Sequence, residues 1–183
     1  MKKVNPALLR YELGPRALLE EVVAQIQRML DLAMAHEKVL TVPVPSISGW
    51  SISNHLEHLV ITGRSAVVML ERSLVSDLTS PGRNADGDLL FDLLYLPRGQ
   101  TQAPEFAWPK GMDHKKLCSS LKRLYSQVKD LEGRLDSLVA STGRVLHPYL
   151  GNLTAREWLA FIGIHQNHHL CIASELADAV KPA

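Results

Sequence analysis

Of the eight histidines in this 183-residue chain, His55 and His58 form one group and His165, His168 and His169 another. His165 and His169 stand one helical turn apart, a spacing at which two imidazoles can reach the same ion. They interrupt an otherwise apolar stripe of Trp158, Ile162, Ile172 and Leu176 that repeats at helical spacing and should face a core. Imidazoles on such a face need partners, because an unpaired buried polar group is costly, and a metal ion is the simplest partner for two of them. The earlier group could supply a third nitrogen. Apolar residues cover much of the circumference around His55 and His58, so periodicity leaves open which of the two points inward. Three histidines around a divalent ion leave a position for water, the pattern of a catalytic site. Such an ion acidifies its water or activates a bound thiol or carbonyl. The bland alternative is that these are packing histidines, since the pair lacks the glutamate of the zinc-protease motif. His168 lies one position off the stripe, and His36 and His114 read as surface residues near helix ends.

The elements that must carry these residues are helices. Pro15 opens the first, whose apolar positions Leu19, Val22, Val23, Ile26, Leu30 and Ala33 carry it to about residue 38. Pro43 and Pro45 break it. Ser48 or Ser51 caps a second helix running to about Val75. Residues 88–96 suggest a short helix stopped at Pro97, inside a 76–112 connection long enough to cover a site. Phe91, Tyr95, Phe106 and Trp108 there could line a pocket or simply pack. The third helix is capped by Asp113 and repeats leucine or valine from Leu117 to Leu138, with Gly133 as a candidate close contact. A loop over 144–151 then leads to a last helix from Asn152 to Leu176, where Thr154 and Glu157 have the form of a capping box. With no alternating strand run, the expectation is an all-α four-helix bundle, one domain over residues 1–183, with a long crossover between helices 2 and 3.

Composition excludes several classes. A formal net charge of +1 offers no electrostatic case for nucleic acid or an anionic membrane. No apolar run approaches the ~20 residues of a membrane span, and the N-terminus lacks a signal-peptide pattern. Cys118 and Cys171 read as buried or partly buried thiols in a reducing compartment, so the expected location is cytoplasmic. Phosphate loops and nucleophile elbows are missing. Arg83 to Asp88 resembles a calcium loop only in composition, without its register or terminal glutamate.

The run Trp50-Ser-Ile-Ser-Asn-His-Leu-Glu-His58-Leu59, followed by His165-x-x-His168-His169-Leu170, resembles the DinB/YfiT-like superfamily of metal-binding four-helix bundles. His147-Pro-Tyr-Leu-Gly-Asn-Leu-Thr-Ala-Arg-Glu-Trp158 is similar to one branch that carries a His-Pro…Gly…Thr-x-x-Glu-Trp run before its paired histidines. The resemblance implies that His58, eight residues after Trp50, is the helix-two ligand, and that His165 and His169 complete a three-histidine site. It implies a divalent ion, nickel or zinc foremost and sometimes manganese or iron. The remaining histidines near these positions, His55, His168 and His147, are candidate supports behind the ligands. Val60-Ile61 and Cys171-Ile172 depart from the residues usual after the ligands, so those supports can differ here. Activities in the superfamily include transfer of low-molecular-weight thiols to electrophiles, maleylpyruvate isomerisation and amide hydrolysis. The expected partners are therefore a small-molecule substrate, a thiol cofactor and a second copy of the chain in a homodimer. Its name records induction by DNA damage and does not imply DNA binding. Fold and ligands alone do not choose among these reactions.

Overall fold

The computed structural model describes residues 14–99 and 102–180, so the lead-in expected over residues 1–13 lies outside the described residues. Helix α1, Pro15–Ala35, begins on its proline and gives way to a short 3-10 turn, Glu37–Val39. Helix α2, Ile52–Leu74, is capped by Ser51, whose hydroxyl accepts the Asn54 N–H while Asn54 accepts the Ser51 N–H. Helix α3, Ala85–Leu93, starts three residues before the expected position, because the Asn84 side chain takes the Gly87 N–H and nucleates it there. Asp113 caps helix α4, His114–Lys129, as expected.

The long third helix is not continuous. It tightens into a 3-10 segment over Asp130–Arg134 before resuming as α5, Leu135–Ala140. A Cβ on Gly133 would meet nothing within 4 Å, so this glycine marks the change of winding and no close helix contact. The loop expected over 144–151 is mostly an antiparallel hairpin of β1, Arg144–His147, and β2, Gly151–Thr154, with Arg144 opposite Thr154 and His147 opposite Gly151. Four residues per strand are too few for a readable alternation. The last helix, α6, therefore starts at Ala155, after β2, and runs to Ala179. Its Thr154–Glu157 capping box is present, and Arg83 and Arg144 reach the same Glu157 carboxylate.

The four long helices form the expected all-α bundle. α1 and α2 each pack mainly on α4 and α6, which leaves α1 diagonal to α2. Two apolar clusters fill the interior. One holds Leu18, Val22, Ile26, Val67, Leu70, Leu124, Val128, Trp158 and Ile162. The other holds Met29, Ala33, Ile52, Leu56, Leu117, Leu121, Ile172 and Leu176. α1 and α6 run from the first cluster to the second, while α2 and α4 run the opposite way. The neighbours α2 and α4 are thus parallel. The chain leaving α2 must return along the full length of a 23-residue helix, about 34 Å, before α4 can begin. That topology accounts for the long connection.

The returning segment is tied down on the way. His168 bonds the Leu96 carbonyl through Nδ1 at 2.9 Å, and Arg98 grips Glu175 with two bonds. His58 bonds the Ala107 carbonyl through Nδ1 at 2.7 Å. Glu57, 1% exposed, accepts three consecutive backbone N–H groups, from Lys110, Gly111 and Met112, at 2.7 to 2.9 Å. Bonds to an ionised acceptor contribute about 1.5–3 kcal/mol each. Replacing Glu57 with leucine is expected to cost more than about 2 kcal/mol in denaturant unfolding and to speed amide exchange at 110–112. Unchanged protection at those amides would refute this anchoring role.

Candidate metal centre

The crossover lies against the seam of α2 and α6, and three histidines converge beneath it. One ring nitrogen from each of His58, His165 and His169 falls within 4.8 Å of the others, a group that could hold a metal ion. His58 Nε2 and His165 Nε2 are 3.2 Å apart. Two nitrogens bound at 2.0–2.1 Å to a tetrahedral ion stand about 3.3 Å apart, so this pair is already at ligand spacing.

The hydrogen-bond partners assign the protons. The Ala107 carbonyl can only accept, so His58 carries its proton on Nδ1 and presents a lone pair at Nε2. The Thr62 hydroxyl donates to the His58 carbonyl at 2.8 Å. Its oxygen is then free to accept from His165 Nδ1, at a longer 3.4 Å. That arrangement leaves a lone pair on His165 Nε2 as well. Two lone pairs facing each other at 3.2 Å repel unless a cation lies between them. His169 has Nδ1 turned 2.8 Å from His55 Nδ1, which leaves its Nε2 for the ion. The donor set fits a divalent metal.

Burial keeps these rings neutral, as ligands must be. His58 and His169 are buried and His165 is half-buried. Burial holds the His165 imidazole well below the usual histidine range, with the charges of His58, His168 and His147 adding to the effect. His169 is lowered by burial first and then by His165 and His58, and His58 by burial despite its carbonyl bond. The indole of Trp50 closes one side, with its ring centre 5.0 Å from His58 and 6.1 Å from His169, nearly parallel to the latter. Phe161 stacks on His165 at 5.5 Å.

The three candidate supports differ. His55 touches the cluster directly, through His169. His168 anchors the crossover and meets His169 edge-on at 4.8 Å. His147 packs between Trp158 and Phe161 and accepts the Tyr149 N–H, so it reaches the centre only through Phe161. The aromatics considered as pocket lining do not surround the three histidines. Phe91 is buried in the first cluster beneath Arg83, while Tyr95, Phe106 and Trp108 are exposed. Cys118 is partly buried as expected, whereas Cys171 is exposed because it lies off the buried stripe of α6. His114 is half-buried between Glu37 and Cys118. Glu57, Thr62 and the covering role of Trp50 were not apparent from the sequence. The one available hint was a carboxylate within the apolar arc of α2.

The family model of the DinB superfamily matches residues 24–173, which run from within α1 to within α6 and include all three histidines. The chain belongs to the DinB superfamily. No curated protein and no solved structure matches it.

The buried histidines also set an acid limit. Burial lowers His147 from 6.5 to about 4. Between those values the unfolded chain binds a proton that the fold excludes, so stability falls as pH drops from 6.5 toward 4. Above 6.5 both states are neutral and this group adds no pH dependence. Each such histidine contributes a slope of about 1.4 kcal/mol per pH unit. In chemical denaturation from pH 7 to 4.5, His147→Leu is expected to flatten the loss by about one proton's worth. An unchanged slope would place the acid sensitivity elsewhere.

Proposed function

We propose that His58, His165 and His169 hold a divalent metal ion, nickel or zinc foremost, and that the protein is a metal-dependent enzyme acting on a small electrophilic substrate. The observation that carries this reading is the pair of Nε2 atoms facing each other at ligand spacing. Bound by three imidazoles, such an ion keeps an open position at which water or a low-molecular-weight thiol becomes a nucleophile near neutral pH. The chain's own part is to orient and to exclude. Ala107 and Thr62 fix the rings of His58 and His165, and Trp50 shields one flank from water. A hydrolase or a thiol S-transferase fits this chemistry, and a homodimer fits the family.

A second reading has an observation of its own. The narrow space beside His165, lined by Leu59, Thr62, Ala66, Phe161, Ile162 and Gln166, leaves no room for a water molecule. Small-molecule sites commonly span about 300–1,000 Å³. So narrow a space also suits a non-catalytic bundle that keeps the ion for stability.

Metal analysis of untagged protein purified without an immobilised-metal column tests the centre. About one equivalent is expected, falling below a tenth in His165→Ala. Sub-stoichiometric metal that His165→Ala leaves unchanged removes the proposal. Screening thiol conjugation against amide and ester hydrolysis, with and without metal, separates the two readings. Metal that raises the melting temperature and supports no turnover favours the second.

A further inference from the structure

His55 is 3% exposed and has both ring nitrogens engaged, Nδ1 on His169 Nδ1 at 2.8 Å and Nε2 on the Ser48 hydroxyl at 3.0 Å. A neutral imidazole carries one proton, so a contact between two Nδ1 atoms is a hydrogen bond only if one ring donates and the other accepts. With an ion on its Nε2, His169 has its proton on Nδ1 and must donate. His55 must then accept at Nδ1 and carry its own proton on Nε2, where Ser48 receives it. The Ser48 oxygen already accepts the Trp50 N–H at 3.0 Å, and its two lone pairs accommodate both donors. The chain from His169 through His55 to Ser48 is satisfied in a single direction when an ion is bound.

We propose that His55 is a positioning residue for the metal centre: by accepting from His169 Nδ1–H it fixes the tautomer and ring orientation in which His169 can ligate, with Ser48 anchoring His55 in turn. The inference rests on the metal-binding reading above and adds a residue outside the ligand set. Partners of this kind, which orient a ligating histidine through its other nitrogen, are worth about 10–100-fold in metal affinity. The burial of His55 and its edge-on contact with Trp50 at 5.4 Å hold it in place for this role.

The test is competitive zinc titration against a chromophoric chelator, with the melting temperature of each metal-free variant measured alongside. His55→Leu keeps bulk and loses the acceptor. His55→Asn places an amide oxygen close to the position of Nδ1 and restores it. The expected result is a loss of at least tenfold for His55→Leu, recovered to within about fivefold of wild type by His55→Asn. Ser48→Ala, at a half-buried turn position, should weaken binding by a smaller factor. Nitrogen-15 spectra of the zinc-loaded wild type should show His55 neutral, protonated at Nε2 and bare at Nδ1, a signature that packing alone would not set. A loss below tenfold in His55→Leu, or a loss in His55→Asn as large as in His55→Leu, overturns the inference. The zinc-loaded spectrum keeps it falsifiable without any variant, because an Nδ1–H tautomer at His55 overturns it too. Wild-type protein that takes up no zinc removes the centre and this inference together. Zinc uptake that His55→Leu leaves unaffected removes the inference alone.

Discussion

One imidazole joins the topology of this bundle to its chemistry. Because α2 and α4 are parallel neighbours, the chain must travel back along the bundle, and its route is held by bonds to two adjacent residues of α2. His58 gives Nδ1 to the Ala107 carbonyl and turns Nε2 toward His165. Glu57 gathers the amides of residues 110–112. The same crossover that solves the connection problem thereby selects the tautomer of a candidate ligand. A different path over the surface would leave the His58 ring free to rotate and its second nitrogen without a defined role.

This arrangement carries a stability cost that is concentrated at one level of the bundle. The two apolar clusters are separated near the middle of the helices. The interval on α6 holds His165 and His169, together with Gln166, whose buried amide has neither end bonded. Unpaired polar atoms in a dry interior cost about 1–3 kcal/mol each. Apolar burial above and below must offset that, and the long leucine and valine faces of α2, α4 and α6 supply it. Polar strain at the height of the candidate centre, with close-packed hydrophobic ends, is the distribution expected where a fold gives up stability for a site.

Much of this could be read from the residues, and the failures have physical causes. The helices were legible because leucine-rich periodicity, the Asp113 cap and the Thr154–Glu157 capping pair are local signals. The hairpin was not, since strands of four residues show no period and β2 sits directly before a helix cap. The break near Gly133 was hidden by a leucine stripe that runs through the 3-10 segment without interruption. Periodicity could not rank His55 against His58, and geometry explains why: both rings are buried and both reach α6 histidines. Their different roles come from what meets the other nitrogen, a crossover carbonyl in one case and a serine hydroxyl in the other. Neither partner lies at a fixed sequence distance from its histidine.

The close packing beside His165, which leaves no room for a water molecule, limits what the proposed enzyme could accept. Leu59, Ala66, Ile162 and Phe161 make its walls apolar, and Thr62 and Gln166 are its polar groups. No charged side chain lines it, so a strongly anionic substrate would lose solvation there without gaining a counter-charge other than the ion itself. A substrate of the proposed enzyme must part these walls to reach the ion, and a compact, neutral electrophile does so with the least loss of packing. Thr62 is already committed to the His58 carbonyl, which leaves the Gln166 amide as the free hydrogen-bonding group for orienting such a molecule. On the proposed reading, selectivity then comes from size and polarity at Gln166, while reactivity comes from the three imidazoles.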